Sequence, residues 1–226
     1  MHALPSFILP SEKSAVTRSL GPVAVALTLA MAAVILGIAP AVSAHGKAEA
    51  AEQQGHHHAL SDEATRSAAD YSIPQIKLVR ADGKSVWLAD EINDGRPVVM
   101  DFIYTTCTSI CPLSSQTFSE LQEKLGRSRD GVHLVSISID PEQDTPEKLA
   151  AYAKKFGAGP EWDHYTGTLA ASIVAQKAFN AYRGSKMEHA PVTLIRTAPG
   201  KSWVRIEGFA TSDQLLRELR QAVASK

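Results

Sequence analysis

The chain holds only two cysteines, Cys107 and Cys111, four positions apart in the stretch DFIYTTCTSICP at residues 101–112. An apolar run stands before them and Pro112 follows. A bridge across four residues closes a tiny loop and restrains little of the unfolded chain, so a structural staple explains the pair poorly. Redox chemistry or metal binding explains it better. Pro112 lacks an N–H and suits the first turn of a helix, which places both sulfurs at a helix N-terminus. There the amide N–H groups and the helix dipole favour a thiolate. Residues four apart on a helix lie about one turn from each other, roughly 5–6 Å. That gap can be closed by a Cys107–Cys111 disulfide on oxidation. It also suits two thiolates directed at one ion. Soft thiolates select Cu(I) or zinc, and an imidazole widens the choice to Cu(II).

A metal site of this kind needs a third ligand from elsewhere in the chain. His133 opens an apolar run and reads as a surface histidine. His164, in Trp162-Asp-His-Tyr165, reads as a loop histidine. His189 lies two positions before Pro191 and just before the run Val192–Ile195. It is either the third ligand or a packed loop histidine. Asp140 leaves the end of a strand, where α/β sites gather. It reads as turn and cap chemistry, with outer-shell support of the site as its functional alternative.

The elements that must position these residues begin at about Tyr71. Ile76–Val79 and Ser85–Leu88 flank Ala81-Asp-Gly83 and predict a β-hairpin. Val98–Tyr104 and Val132–Ile139 are short apolar runs that suit strands buried on both faces. A helix is expected from about Cys111, with Phe118, Leu121 and Leu125 on one face and Gly126 as its stop. Asp144 with Glu147 matches a capping box, and Pro146 fits the first turn of the helix carrying Leu149, Tyr152, Ala153 and Phe156. Ala170, Val174, Ala178 and Ala181 suggest another helix. Val192–Ile195 and Trp203–Ile206 read as strands. Thr211 or Ser212 caps a last helix with Leu215, Leu216, Leu219 and Val223 inward. The order predicts an α/β domain, a central mixed sheet flanked by helices. A cysteine turn between a buried strand and its helix suggests the thioredoxin-like arrangement, here with an N-terminal β-hairpin.

Residues 1–44 fall outside that domain. Lys13 and Arg18 precede an apolar stretch from Val23 to Ala39, and Pro40-Ala-Val-Ser-Ala44 supplies small residues at a cleavage site. This is a signal-peptide pattern, with an uncleaved membrane anchor over residues 23–39 as the alternative. Either way the positive flank precedes the apolar stretch, so the domain is expected outside the cytoplasm, in the periplasm. Residues 45–70 are polar and read as a disordered, histidine-containing linker. Its His45, His56, His57 and His58 read as solvated linker residues rather than a metal site. The domain proper is expected over 71–226. A net charge of −1 gives no basic excess for nucleic acid.

Several segments together carry a resemblance. FIYTTCTSICP at 102–112 is similar to the F-x-Y/F-T-x-C-x-x-x-C-P signature of the Sco/SenC family, thioredoxin-like copper proteins of cytochrome c oxidase assembly. SISIDPEQDTP at 136–146 resembles that family's S-I-D-P-x-x-D-T segment. Tyr165-Thr-Gly-Thr168, followed by a helix, is also similar, and Glu188-His189 falls where the family has its ligand histidine. The resemblance spans roughly residues 71–225. It implies Cys107, Cys111 and His189 as copper ligands and Asp140 as a residue shaping the site or the partner surface. Three features depart from the pattern. Glu188 stands where aspartate is commoner, Pro191 resembles the proline of disulfide oxidoreductases, and Thr108-Ser109-Ile110 lacks the acidic residue or proline often found between the cysteines.

The function expected on these grounds is a copper metallochaperone. It would hold Cu(I) or Cu(II) and pass it to the copper-site subunit of a cytochrome oxidase, with a thiol reductase or another copper carrier as further partners. The alternative is a thiol–disulfide oxidoreductase acting on the cysteines of a partner's copper site through Cys107 and Cys111. A peroxidase fits less well, because Thr105 lies two residues before Cys107 rather than three.

Overall fold

The computed structural model describes residues 64–224. The expected signal or anchor at 1–44, most of the expected linker, and its His45 and His56–His58 lie outside the described residues. Among the described residues no helix is long and apolar enough to cross a membrane.

The core of the sheet is built from the two apolar runs. β4 (Val98–Ile103) and β5 (His133–Ser138) are buried at every position and pair in parallel, Val98 with His133 through Ile103 with Ser138. β6 (Trp162–Thr166) continues the parallel set beside β5. β7 (Val192–Arg196) flanks β4 on its other side, antiparallel, and β8 (Trp203–Glu207) follows β7. β2 (Lys77–Arg80) and β3 (Ser85–Trp87) form the expected hairpin, with β2 antiparallel to β6. Its turn needs the left-handed conformation that Gly83 adopts at φ 86°. β1 (Thr65–Ala69) closes the far edge on β8, so the eight-stranded mixed sheet runs β1-β8-β7-β4-β5-β6-β2-β3.

Helices cover both faces. α2 (Ile110–Leu125), α3 (Pro146–Lys155) and α5 (Ser212–Ala224) lie on one, where Phe118, Leu121, Leu215 and Leu219 meet Val99, Leu134 and Trp162. The short α1 (Leu88–Ile92) and α4 (Leu169–Ala178) lie on the other, against Val98, Met100 and Phe102. Gly126 ends α2 at φ 54°.

The structure differs from the sequence reading at several elements, and α1 takes Leu88 from the expected strand. Residues 65–69, placed in the linker, form β1; its sequence TRSAA is short and polar because an edge strand has one ladder to satisfy and little to bury. Residues 162–166, read as a loop, are β6. Its Asp163 is bonded by His133 and Arg80 from neighbouring strands, and its His164 packs against Trp162 and Tyr152. The cap of α3 is Thr145, whose hydroxyl accepts from the Lys148 N–H, and not Asp144. On α4 the buried residues are Ser172, Ala175 and Gln176, and Val174, whose spacing suggested the helix, is exposed.

Candidate metal and thiol site

Cys107 and Cys111 sit where β4 hands over to α2. Both are free thiols and both are buried. Cys107 lies in the turn, its own N–H donating to the Tyr104 carbonyl at 3.2 Å. Cys111 is in the first turn of α2, and its backbone N–H points at the Cys107 sulfur at 3.4 Å. The Ser109 hydroxyl is 4.0 Å from the same sulfur. Burial alone would raise the Cys107 thiol. The N–H groups of Cys111 and Ser109, with the side chains of Cys111 and Tyr104, outweigh it and hold the thiol near 7. Cys111 is the reverse case. Burial pushes it well above the ordinary thiol range, and the neighbouring Cys107 and Asp101 add to the shift. The two sulfurs are therefore unequal, one poised as a thiolate and one held as a thiol.

The third candidate, His189, follows a short 3-10 turn (Lys186–Glu188) that leads into β7. The β4–β7 ladder ends at the Asp101–Thr193 pair. The Phe102 carbonyl beyond it needs another donor, and His189 Nε2 supplies it at 2.9 Å. A carbonyl only accepts, so the proton is on Nε2 and the Nδ1 lone pair is the one left for a metal. Burial lowers the pKa of this imidazole, which keeps it neutral, as a ligand must be. Its ring stands edge-on to Tyr104, centroids 6.4 Å apart.

Asp140 is buried at the end of β5 and pairs with Lys186 Nζ at 2.5 Å. The Lys186 ammonium also lies 5.8 Å from the centre of the Tyr104 ring. The ion pair thus ties the β5 exit to the turn that carries His189. Asp140 also performs the turn role read from sequence, its carbonyl accepting from the Gln143 and Asp144 N–H groups.

Three residues emerge at the site to which sequence reasoning gave no part in it. Asp144, fully buried, accepts from the Thr105 N–H at 3.2 Å, the Thr105 hydroxyl at 2.5 Å and the Ser138 hydroxyl at 2.6 Å. It anchors the turn two residues before Cys107. Tyr104 stands between Cys107, His189 and Lys186. Asp101, in the middle of β4, accepts from Ser136 at 2.6 Å and leaves Oδ2 without a partner. Burial raises its carboxyl to about 7. A lone acid inside the apolar run VVMDFI was the available signal.

The other histidines are placed elsewhere. His133, read as a surface residue, is 1% exposed at the opposite end of β5. Its Nδ1 is 3.2 Å from the Glu91 carbonyl and its Nε2 3.1 Å from Asp163 Oδ2. It is buried because it opens a central strand covered on both faces. His164 is buried in β6 against Trp162 and Tyr152, and burial lowers its pKa to about 4. Among the described residues no three His, Cys, Asp or Glu side chains stand close enough together to hold a metal ion. The donor set still suits a soft ion, with two sulfurs adjacent and a neutral imidazole at the same end of β4. The imidazole completes it only by moving toward the sulfurs.

The SCO1/SenC family model matches residues 64–224, which include every residue of this site. The chain belongs to the SCO1/SenC family. A SCO1 protein homolog of Bacillus subtilis is 34% identical over 115 residues, covering 50% of this chain and 58% of that relative. The chain thus spans little more than half the length of that curated relative. Among solved structures, BsSco, a member of the Sco family of cytochrome c oxidase assembly proteins described with a disulfide switch, superposes with a TM-score of 0.59. It is 25% identical, over 72% of this chain and 99% of that one. Copper-bound ScoI of Arabidopsis thaliana superposes at 0.57, with 23% identity over 69% of this chain and all of its own. The fold is therefore the thioredoxin-like one of the Sco structures.

Proposed function

We propose that this SCO1/SenC protein is an exported copper metallochaperone that delivers its ion to the copper-site subunit of a cytochrome oxidase. Cys107, Cys111 and His189 are its ligands. The observation that carries this reading is the pairing of two free sulfurs at the start of α2 with a neutral imidazole whose Nδ1 is unencumbered. The copper-bound ScoI of A. thaliana and the oxidase-assembly role of BsSco's family support the cargo and the client. Two thiolates satisfy Cu(I), and the imidazole adds the harder donor that Cu(II) prefers. Release to a partner then needs only ligand exchange toward a tighter site, with no bond made in the protein. Asp140 acts through Lys186, fixing the turn from which His189 reaches the sulfurs.

Copper binding by the reduced chain tests this, with Cu(I) measured in competition against a chelator and Cu(II) by absorption. One tightly held copper, lost in Cys107→Ser/Cys111→Ser, is expected. In His189→Ala, Cu(II) affinity should fall while part of the Cu(I) affinity remains. Unchanged Cu(II) binding in that variant would remove His189 from the ligand set.

A second reading rests on the direction of the Cys111 N–H toward the Cys107 sulfur and on the disulfide switch described for BsSco. Here Cys107 attacks a partner disulfide as the thiolate and forms a mixed disulfide, expelling one partner thiolate. Cys111 then loses its proton and displaces the second. The products are a Cys107–Cys111 disulfide and a reduced partner. No exchange with a partner cysteine peptide, followed by mass spectrometry, would exclude this route.

A further inference from the structure

Arg196 ends β7 opposite Val98, the first residue of β4. The cysteines lie beyond the last residue of this six-residue strand, so Arg196 is roughly 20 Å away at the other end of the sheet. It is 4% exposed. Its Nη2 donates to the Ile92 carbonyl at 2.5 Å and to Asn93 Oδ1 at 2.7 Å. The guanidinium carbon stands 4.6 Å from the centre of the Trp203 ring. Every one of these partners is neutral. Its Nε is buried with no partner, and burial, the one influence acting on its pKa, lowers it with no opposing charge to raise it. Arg205, equally buried, shows the usual solution, an ion pair with Glu207 at 2.8 Å. A buried charge without a counter-charge is costly, and folds rarely leave one.

Arg196 also lines a cavity of about 420 Å³, within the range of small-molecule sites. Trp203, Tyr71 and Ile73 supply its apolar walls, and Asn93 adds an amide. Lys201 and Asp70, both exposed, stand at its edge. Two cations against one anion leave the lining at +1, which suits a single negative charge better than a phosphate. A guanidinium charge is met well by a carboxylate.

We propose that this cavity binds a small organic monocarboxylate with an apolar body. Its carboxylate faces the Arg196 guanidinium, whose charge none of these neutral partners balances, and its body packs on Trp203 and Ile73. The site is independent of the copper reading.

The test is titration of the whole chain with 3-phenylpropionate and with its neutral amide, 3-phenylpropanamide, by calorimetry. The carboxylate should bind saturably, and the amide at least about tenfold more weakly, the loss of one charge-assisted contact. Arg196→Gln, which removes the charge, should weaken the carboxylate and leave the amide unchanged. The comparison of the two ligands on the unaltered protein stands even if that variant fails to fold. Equal binding of acid and amide, or no saturation by the acid, overturns the proposal. Cys107→Ser/Cys111→Ser should bind the carboxylate as before. Loss of binding with the cysteines would move the ligand to the other end of the sheet and overturn it as well.

Discussion

Cys107 and Cys111 face the same turn yet differ in the state each is held in. Two backbone N–H groups reach the first sulfur, whereas burial dominates the second. Alkylation of Cys107 by iodoacetamide should therefore rise about tenfold per unit of pH below 7 and level off above about pH 8. Cys111 should stay unmodified over that range. Peptide mass spectrometry reads both rates, and a Cys107 profile still climbing at pH 9 would show that the N–H contacts do not act. Asp101 shifts in the opposite sense for a carboxyl, its folded value raised by burial from 3.8 to about 7. The stability tied to its protonated form is complete below 3.8 and is lost as the pH rises through 7. Asp101→Asn, which mimics the protonated acid, should gain on the parent as the pH rises from 3.8 to 7 and hold that gain above 7. The difference should change by at most about 1.4 kcal/mol per pH unit within the window. Urea unfolding at pH 5 and pH 8 measures it, and parallel stabilities would mean the carboxyl titrates normally.

At the scale of elements, the site depends on loops held to one another rather than on α2 alone. Asp144 binds the β4–α2 turn to the β5–α3 loop through Thr105 and Ser138, and Lys186 binds the turn before β7 to Asp140. Asp144→Ala would leave three donors without their acceptor. It should cost about 3 kcal/mol in unfolding experiments, each stranded group contributing on the order of 1 kcal/mol. It should also flatten the low-pH reactivity of Cys107, because the turn presenting its sulfur loses its anchor. Normal Cys107 reactivity in a destabilised Asp144→Ala would confine Asp144 to a structural role. None of this is written in local pattern. Asp144 precedes Pro146 and Glu147 and reads as a helix cap, yet Thr145 takes the cap and frees the carboxylate for a contact 39 residues back. The strands β4 and β5 are legible because burial on both faces demands continuous apolar runs. β6 is not, because Asp163 and His164 are polar, and the His133 and Arg80 partners of Asp163 and the ring contacts of His164 exist only in the folded sheet. The cysteines were legible as chemistry from their spacing. The bond between His189 and the Phe102 carbonyl depends on where the β4–β7 ladder stops, which no residue near His189 encodes.

At the scale of the molecule, β1 decides how the sheet ends. Its five residues pair along the whole of β8, from Thr65 with Glu207 to Ala69 with Trp203. Arg66 reaches across to Glu218 on α5 at 2.9 Å. Without β1, the N–H and C=O groups of β8 would form an open edge beside the buried Trp203 and Ile206. A chain beginning at residue 71, the boundary that composition suggests, should thus be less stable than one beginning at residue 60, by about 1–3 kcal/mol. It should also self-associate through the bared edge. Thermal unfolding and light scattering on the two chains would show both effects. The cysteines lie past the far end of β4 from Arg196 and are not touched by β1, so copper binding should survive the shortening. Equal stability and a monomeric shorter chain would mean that β1 merely rests on β8. A less stable, associating one would make residues 65–69 part of the folding unit, as the family match from residue 64 already implies.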